Sequence, residues 1–69
     1  MRHLSGKALA KIVERHGWKL KRIHGSHHIY GKPGTAIRLS IPIHGSRPLK
    51  HGLLSHLVKV AGLDEEDLG

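Results

Sequence analysis

Cysteine and phenylalanine are both absent from the 69 residues, and only one tryptophan and one tyrosine are present. The missing thiols exclude a disulfide framework and thiolate zinc sites, and they fit a reducing compartment. No apolar run approaches the roughly 20 residues needed to cross a bilayer. No helical stretch pairs a basic face with a broad aromatic one, so an anionic membrane is a poor partner for this chain. The opening Met1-Arg2-His3-Leu4-Ser5 holds no apolar signal core. These absences lead to the expectation of a cytoplasmic protein without membrane contact.

Acid is scarce as well. Four of the five carboxylates are Asp64, Glu65, Glu66 and Asp67, so Glu14 alone opposes the 12 Lys and Arg, all of which fall within residues 1–59. The net charge is +7 with histidine neutral. A small body with that density of cations attracts polyanions by counterion release. A chain this short makes one domain, 1–69, with a single small core and no deep pocket. Its working surface is expected to be an open face or shallow groove, and a bound partner would add stability.

The chain reads as helix, three strands, helix. Ser5 is placed to cap a first helix, with Leu9, Ile12, Val13 and His16 on one face and Gly17 as its left-handed stop. Lys7, Lys11 and Arg15 stripe another face and read most simply as solvated. Trp18 to His24 reads as a strand whose alternation slips between Leu20 and Ile23, which points to a bulge or a frayed edge. Gly25-Ser26 is a turn, His27 to Tyr30 a second strand, and Gly31-Lys32-Pro33-Gly34-Thr35 a second turn. Ala36 to Ile41 alternates as a third strand, with Ile37, Leu39 and Ile41 on one side, and Pro42 stops it. A second helix begins near Leu49–His51, with Leu53, Leu54, Leu57, Val58 and Ala61 apolar, and Asp64 can cap a last turn. Short connections imply an antiparallel meander, so the expected class is α+β, α-β-β-β-α, with both helices on one face of a three-stranded sheet. The other face is left open, edged by Lys19, Lys21, Arg38 and the histidine turn.

Eight histidines are present, and Gly25-Ser26-His27-His28 is the most informative stretch. Cleavage of RNA by its own 2′-hydroxyl needs a base for that hydroxyl, an acid for the departing 5′-oxygen, and positive charge at the phosphorane. Histidine titrates near neutrality and can fill either proton role. His27 or His28 would be the base or acid. The Gly25-Ser26 turn would bring backbone N–H groups close to a phosphate. Lys21, Arg22, Arg47 or Lys50 would hold its charge. Strand alternation favours His28 as the exposed histidine if Ile29 points into the core, although the turn at Ser26 can re-aim His27. The competing reading is a pair of half-exposed strand histidines without chemistry. The loop before the second helix reads either as another phosphate seat, with Arg47, Lys50 and His51 around a helix N-terminus, or as a solvated connector. His24, His27, His28 and His44 would have to converge to bind a metal, and their spacing matches no closed zinc pattern, so neither a metal nor a cofactor is expected. Ser5-Gly6-Lys7 and the Gly31 to Thr35 turn lack the features of a nucleotide phosphate loop.

The series Ser5-Gly6-Lys7, Gly17-Trp18-Lys19-Leu20, Arg22, Gly25-Ser26-His27-His28-Ile29-Tyr30, Ile41-Pro42-Ile43-His44, Leu49-Lys50 and Ala61-Gly62-Leu63 resembles the HicA toxins, also called YcfA-like proteins. The likeness covers nearly the whole chain in order, and the Gly-Ser-His-His segment with its following aromatic is its most specific part. His51-Gly52 departs from the Pro-Gly helix opening common in that family, and the Lys32-Pro33-Gly34 turn is short. The resemblance implies a double-stranded-RNA-binding-domain-like fold and an mRNA interferase, a toxin that cuts RNA without the ribosome. It implies His27 as the catalytic histidine, with Gly25 also required; His28 is kept as a helper or spare, and Ser26 joins the site as part of the turn. It implies a HicB-type antitoxin that covers the active site. Two other readings remain: an RNA-binding module of the same fold without catalysis, and a protein whose basic face only docks an acidic partner.

Overall fold

The computed structural model describes residues 3–69, and Met1 and Arg2 lie outside the described residues. Ser5 opens the first helix (α1, Gly6–Arg15), its Oγ accepting the Ala8 N–H at 3.1 Å. Leu9, Ala10, Ile12 and Val13 turn one stripe of α1 into the core. His16, expected on that face, is exposed. Gly17 takes φ +94°, and the N–H groups of Gly17 and Trp18 donate to the carbonyls of Glu14 and Val13. That is a Schellman ending. The second helix (α2, His51–Val60) ends the same way: Gly62 has φ +75°, and Gly62 and Leu63 donate to Lys59 and Val58.

The strands are β1 (Lys19–His24), β2 (His27–Gly31) and β3 (Arg38–Pro42), in an antiparallel sheet of order β1-β2-β3. Of the two readings of the slipped alternation, the bulge is present. Leu20 pairs with Tyr30 and Arg22 with Ile29, which leaves Lys21 as the extra residue. The third strand is shorter than the alternation suggested. Ile37 lies outside it and is 50% exposed, whereas Pro42 is its last paired residue, opposite His27. Proline can sit there because it is at the strand's end. The ladder resumes beyond it with Ile43 N–H donating to the Ser26 carbonyl at 2.8 Å.

Residues directly opposite one another across a ladder share a face. Tyr30 with Leu39 and His28 with Ile41 therefore face the helices, where Tyr30, Leu39 and Ile41 are buried with the apolar stripes of α1 and α2. Leu53, read as part of that stripe, is partly exposed instead. Leu49, just ahead of α2, is buried in its place. Gly6 brings α1 against β3: a Cβ there would overlap the Pro42 carbonyl oxygen. A short pairing of Ser5 with Pro48, with Leu49 N–H donating to the Leu4 carbonyl at 2.7 Å, ties the starts of the two helices together. After α2, Asp64 and Asp67 close a capping box around the 3-10 turn η1 (Glu65–Leu68), which buries Leu68.

Candidate functional site: the open face of the sheet

The face away from the helices consists of three rungs. The first is His24, His27 and Pro42. The second is Arg22, Ile29 and Ser40. The third is Lys19, Gly31 and Arg38. Lys21 enters from the bulge between the second and third rungs. The sequence-predicted residues His27, Lys19, Lys21, Arg22 and Arg38 are thus collected on one surface. Arg47 and Lys50 are not part of it. They line a separate groove of about 250 Å³ with Pro42, His44, Pro48, Leu49 and Leu53. The groove reaches the sheet face at Pro42, next to His27. Lys50 is the N-cap residue of α2, and no side chain caps that helix, so free N–H groups remain at its start.

His27 owes its position to the turn before it. Gly25 and Ser26 form a two-residue hairpin loop with Gly25 at φ +58° and no positive φ at Ser26. That φ pattern is the one glycine supplies at the first position of a II′ turn. A Cβ on Gly25 would meet nothing within 4 Å, so the requirement for glycine there is conformational rather than steric. Ser26 contributes its carbonyl to the link with Ile43. Its effect is to hold the hairpin end against β3.

The alternation reading of the histidine pair is corrected here. Ile29 lies opposite Ser40 on the open face, not in the core, so the assumption that exposed His28 fails. His28 pairs with Ile41 on the helix-covered face and is half-buried, whereas His27 is exposed on the open face. Tyr30 decides this: its ring is the larger apolar payload, and burying it turns His28 to the same side. His27 Nδ1 shares a 3.3 Å hydrogen bond with the Ser40 hydroxyl. Sequence reasoning missed Ser40, because its closeness to His27 depends on the β2–β3 register. It also passed over His24 as a partner of His27, although both flank the Gly25-Ser26 turn and a two-residue hairpin makes such flanking residues neighbours.

Glu14 and Asp67 are engaged elsewhere. Glu14 accepts the Tyr30 hydroxyl at 2.6 Å on the helix side. Burial and then the Glu14 carboxylate push the Tyr30 phenol well above its ordinary range. Asp67 meets His16 Nε2 at 3.2 Å, at the C-terminal end of α1. The His16 pKa is raised, first by the Ile12 carbonyl on Nδ1 and then by Asp67. The Asp67 carboxyl is lowered, first by its backbone bond to Asp64 and then by His16. Among the described residues, no group of three or more His, Cys, Asp or Glu side chains is arranged to hold a metal ion. No helix among them is long and apolar enough to cross a membrane.

Fold and surface together define a class: a small α+β domain with helices behind a three-stranded sheet and a cationic, histidine-bearing face in front. The comparison with protein families makes this specific. The model described as HicA toxin of bacterial toxin-antitoxin matches residues 6–63, and the chain belongs to that family. Membership supports a toxin role and implies an antitoxin partner. No curated protein matches the chain.

Proposed function

We propose that this toxin is a metal-independent endoribonuclease, an mRNA interferase in which His27 transfers protons on the open sheet face. The observation that carries this reading is His27 itself: exposed, presented by the Gly25-Ser26 turn, and hydrogen-bonded through Nδ1 to Ser40. With Nδ1 engaged, Nε2 is left for the substrate. A serine hydroxyl both donates and accepts, so Ser40 can pair with Nδ1 in either neutral tautomer and in the imidazolium. In the reaction the 2′-oxygen attacks phosphorus and gives up its proton to a base. The bond from phosphorus to the 5′-oxygen breaks, and an acid protonates the leaving oxygen. A 2′,3′-cyclic phosphate and a 5′-hydroxyl result. His24, opposite His27 on the same rung, is the nearest second imidazole by register and is assigned the complementary proton transfer. Gly25 and Ser26 shape the turn. His28, on the helix side, supports the strand rather than the chemistry. Lys19, Lys21, Arg22 and Arg38 bind the RNA backbone across the face, and Arg47 and Lys50 extend this cationic path into the groove at Pro42. A HicB-type antitoxin would cover the same face, and the toxin would act in the cytoplasm, where an mRNA substrate is met.

The test is cleavage of a mixed-sequence RNA in EDTA by the wild type, His27→Ala and His24→Ala. The expected outcome is cyclic-phosphate ends from the wild type and a loss of about 10²–10⁴-fold for His27→Ala, the usual size of a general acid–base contribution. Circular dichroism and RNA affinity should be preserved. His24→Ala is expected to fall between them. RNA that stays bound and uncut by the wild type would leave a binding module of the same fold. Equal cleavage by the wild type and His27→Ala would remove His27 from the mechanism.

A further inference from the structure

Gly31 is the central residue of the third rung, between Lys19 and Arg38, and it is buried although it lies on the open face. Two cations cover it. A Cβ at Gly31 would lie 2.9 Å from Arg38 Nη1, 3.0 Å from Arg38 Cζ and 3.0 Å from Lys21 Cε. Lys21 reaches this point because the bulge frees it from the ladder. Arg38 is held over it in part by Nη1 donating to the Ile37 carbonyl at 3.3 Å. The His16–Asp67 pair engages neither cation, and Glu14 is turned to Tyr30 on the other face. Two cationic side chains therefore converge over a glycine. An anion between them would offset their repulsion, and a guanidinium beside an ammonium suits phosphate oxygens.

We propose that Lys21 and Arg38, converging over Gly31, form a second phosphate seat that grips the RNA backbone at a distance from the bond cut at His27. This rests on the nuclease reading for its ligand, and it adds a defined subsite and a role for Gly31. Gly31 stands four residues along β2 from His27, about 13 Å at the rise of an antiparallel strand. That exceeds a single nucleotide step, so the seat serves substrates that continue beyond the scissile phosphate. A dinucleoside monophosphate has only the scissile phosphate and cannot fill both positions. Gly31 matters because it has no side chain: its φ is outside the left-handed region, so its backbone would accept alanine, and the new methyl would displace the tips of Lys21 and Arg38.

The experiment measures binding of a 2′-O-methyl RNA oligomer, which cannot be cut, over a salt series, by the wild type, Gly31→Ala and Lys21→Ala/Arg38→Ala. Cleavage of a dinucleoside monophosphate is followed in parallel, and thermal melts monitor folding. Gly31→Ala changes no charge, yet it should weaken oligomer binding several-fold. The double variant should weaken it further and flatten the slope of log K against log salt by about 0.7, the share of one neutralised phosphate on a single strand. Gly31→Ala should affect oligomer binding more than dinucleotide cleavage. Should Gly31→Ala fail to fold, the double variant carries the test. Oligomer affinity and salt slope unchanged in the folded variants would overturn the seat, as would effects confined to antitoxin binding. Oligomer binding that depends on Gly31 by a wild type unable to cut any RNA would overturn the nuclease reading and leave the seat standing.

Discussion

Ser40 shows how much one hydroxyl can decide. It stands one rung from His27, is exposed, and reaches Nδ1 at 3.3 Å. An imidazole held only by a turn samples several ring orientations, and one hydrogen bond of about 1 kcal/mol is enough to favour the orientation that directs Nε2 outward. Ser40→Ala should lower kcat roughly five- to tenfold with little change in KM. Ser40→Thr keeps the hydroxyl and should restore the rate. Steady-state kinetics check this, and a Ser40→Ala enzyme with wild-type kcat would reduce Ser40 to a bystander. Tyr30 acts at the same scale in the other direction. Its buried ring fixes the phase of β2, and that phase puts His27 rather than His28 on the open face.

Among the elements, the contact of α1 with β3 holds the site's frame. The helix begins at Gly6 hard against the Pro42 carbonyl, and Pro42 is the cross-strand neighbour of His27. An added methyl at Gly6 would meet backbone that cannot swing aside, with the Pro42 carbonyl carbon at 3.0 Å and Ile43 Cγ1 at 3.1 Å. Gly6→Ala should therefore destabilise the fold by about 1–3 kcal/mol, the range for overpacking, despite alanine's better helix propensity. The same substitution at Gly52 meets nothing within 4 Å inside α2. Gly52→Ala should gain up to about 1 kcal/mol from propensity and the reduced entropy of the unfolded chain. Urea unfolding of the two variants checks the opposite signs, and a Gly6→Ala protein as stable as the wild type would remove the close approach as a constraint.

Across the whole molecule the charges are sorted by side. Glu14 is tied to Tyr30 behind the sheet, and Asp67 to His16 on α1, so the described ties of these acids leave the open face cationic. The tail contact also gives the fold a pH dependence. His16 has a raised pKa, so its contribution is complete below about 6.5 and is lost as pH rises through its folded value. Asp67 has a lowered pKa, so its contribution is present above about 3.9 and is lost as pH falls through its folded value. The contact is therefore strongest in mildly acidic solution. The stability difference between the wild type and His16→Gln should be largest near pH 5–6 and should fade in alkaline buffer. Both side chains are exposed, so salt should shrink it throughout. Thermal melts across pH check this, and a difference independent of pH would remove the His16–Asp67 pair as its source.

Local rules settled much of this protein before any packing was considered. Ser5, Gly17 and Gly62 mark helix ends through capping and left-handed backbone, and those effects act within one turn of chain. The slipped alternation between Leu20 and Ile23 marked an irregular strand, and Asp64 marked the last turn. Family likeness carried by the Gly-Ser-His-His segment was legible for the same reason, being a contiguous run. Tertiary structure decided what depends on partners distant in the chain. Alternation gives two faces to β2 but not which one is buried, and only Tyr30 packing with Leu39 settled that. The same register brought Ser40 to His27, and it set Lys21 and Arg38 over Gly31. A one-residue slip in a strand reverses every side chain, so the composition of an open face is a property of the assembled sheet.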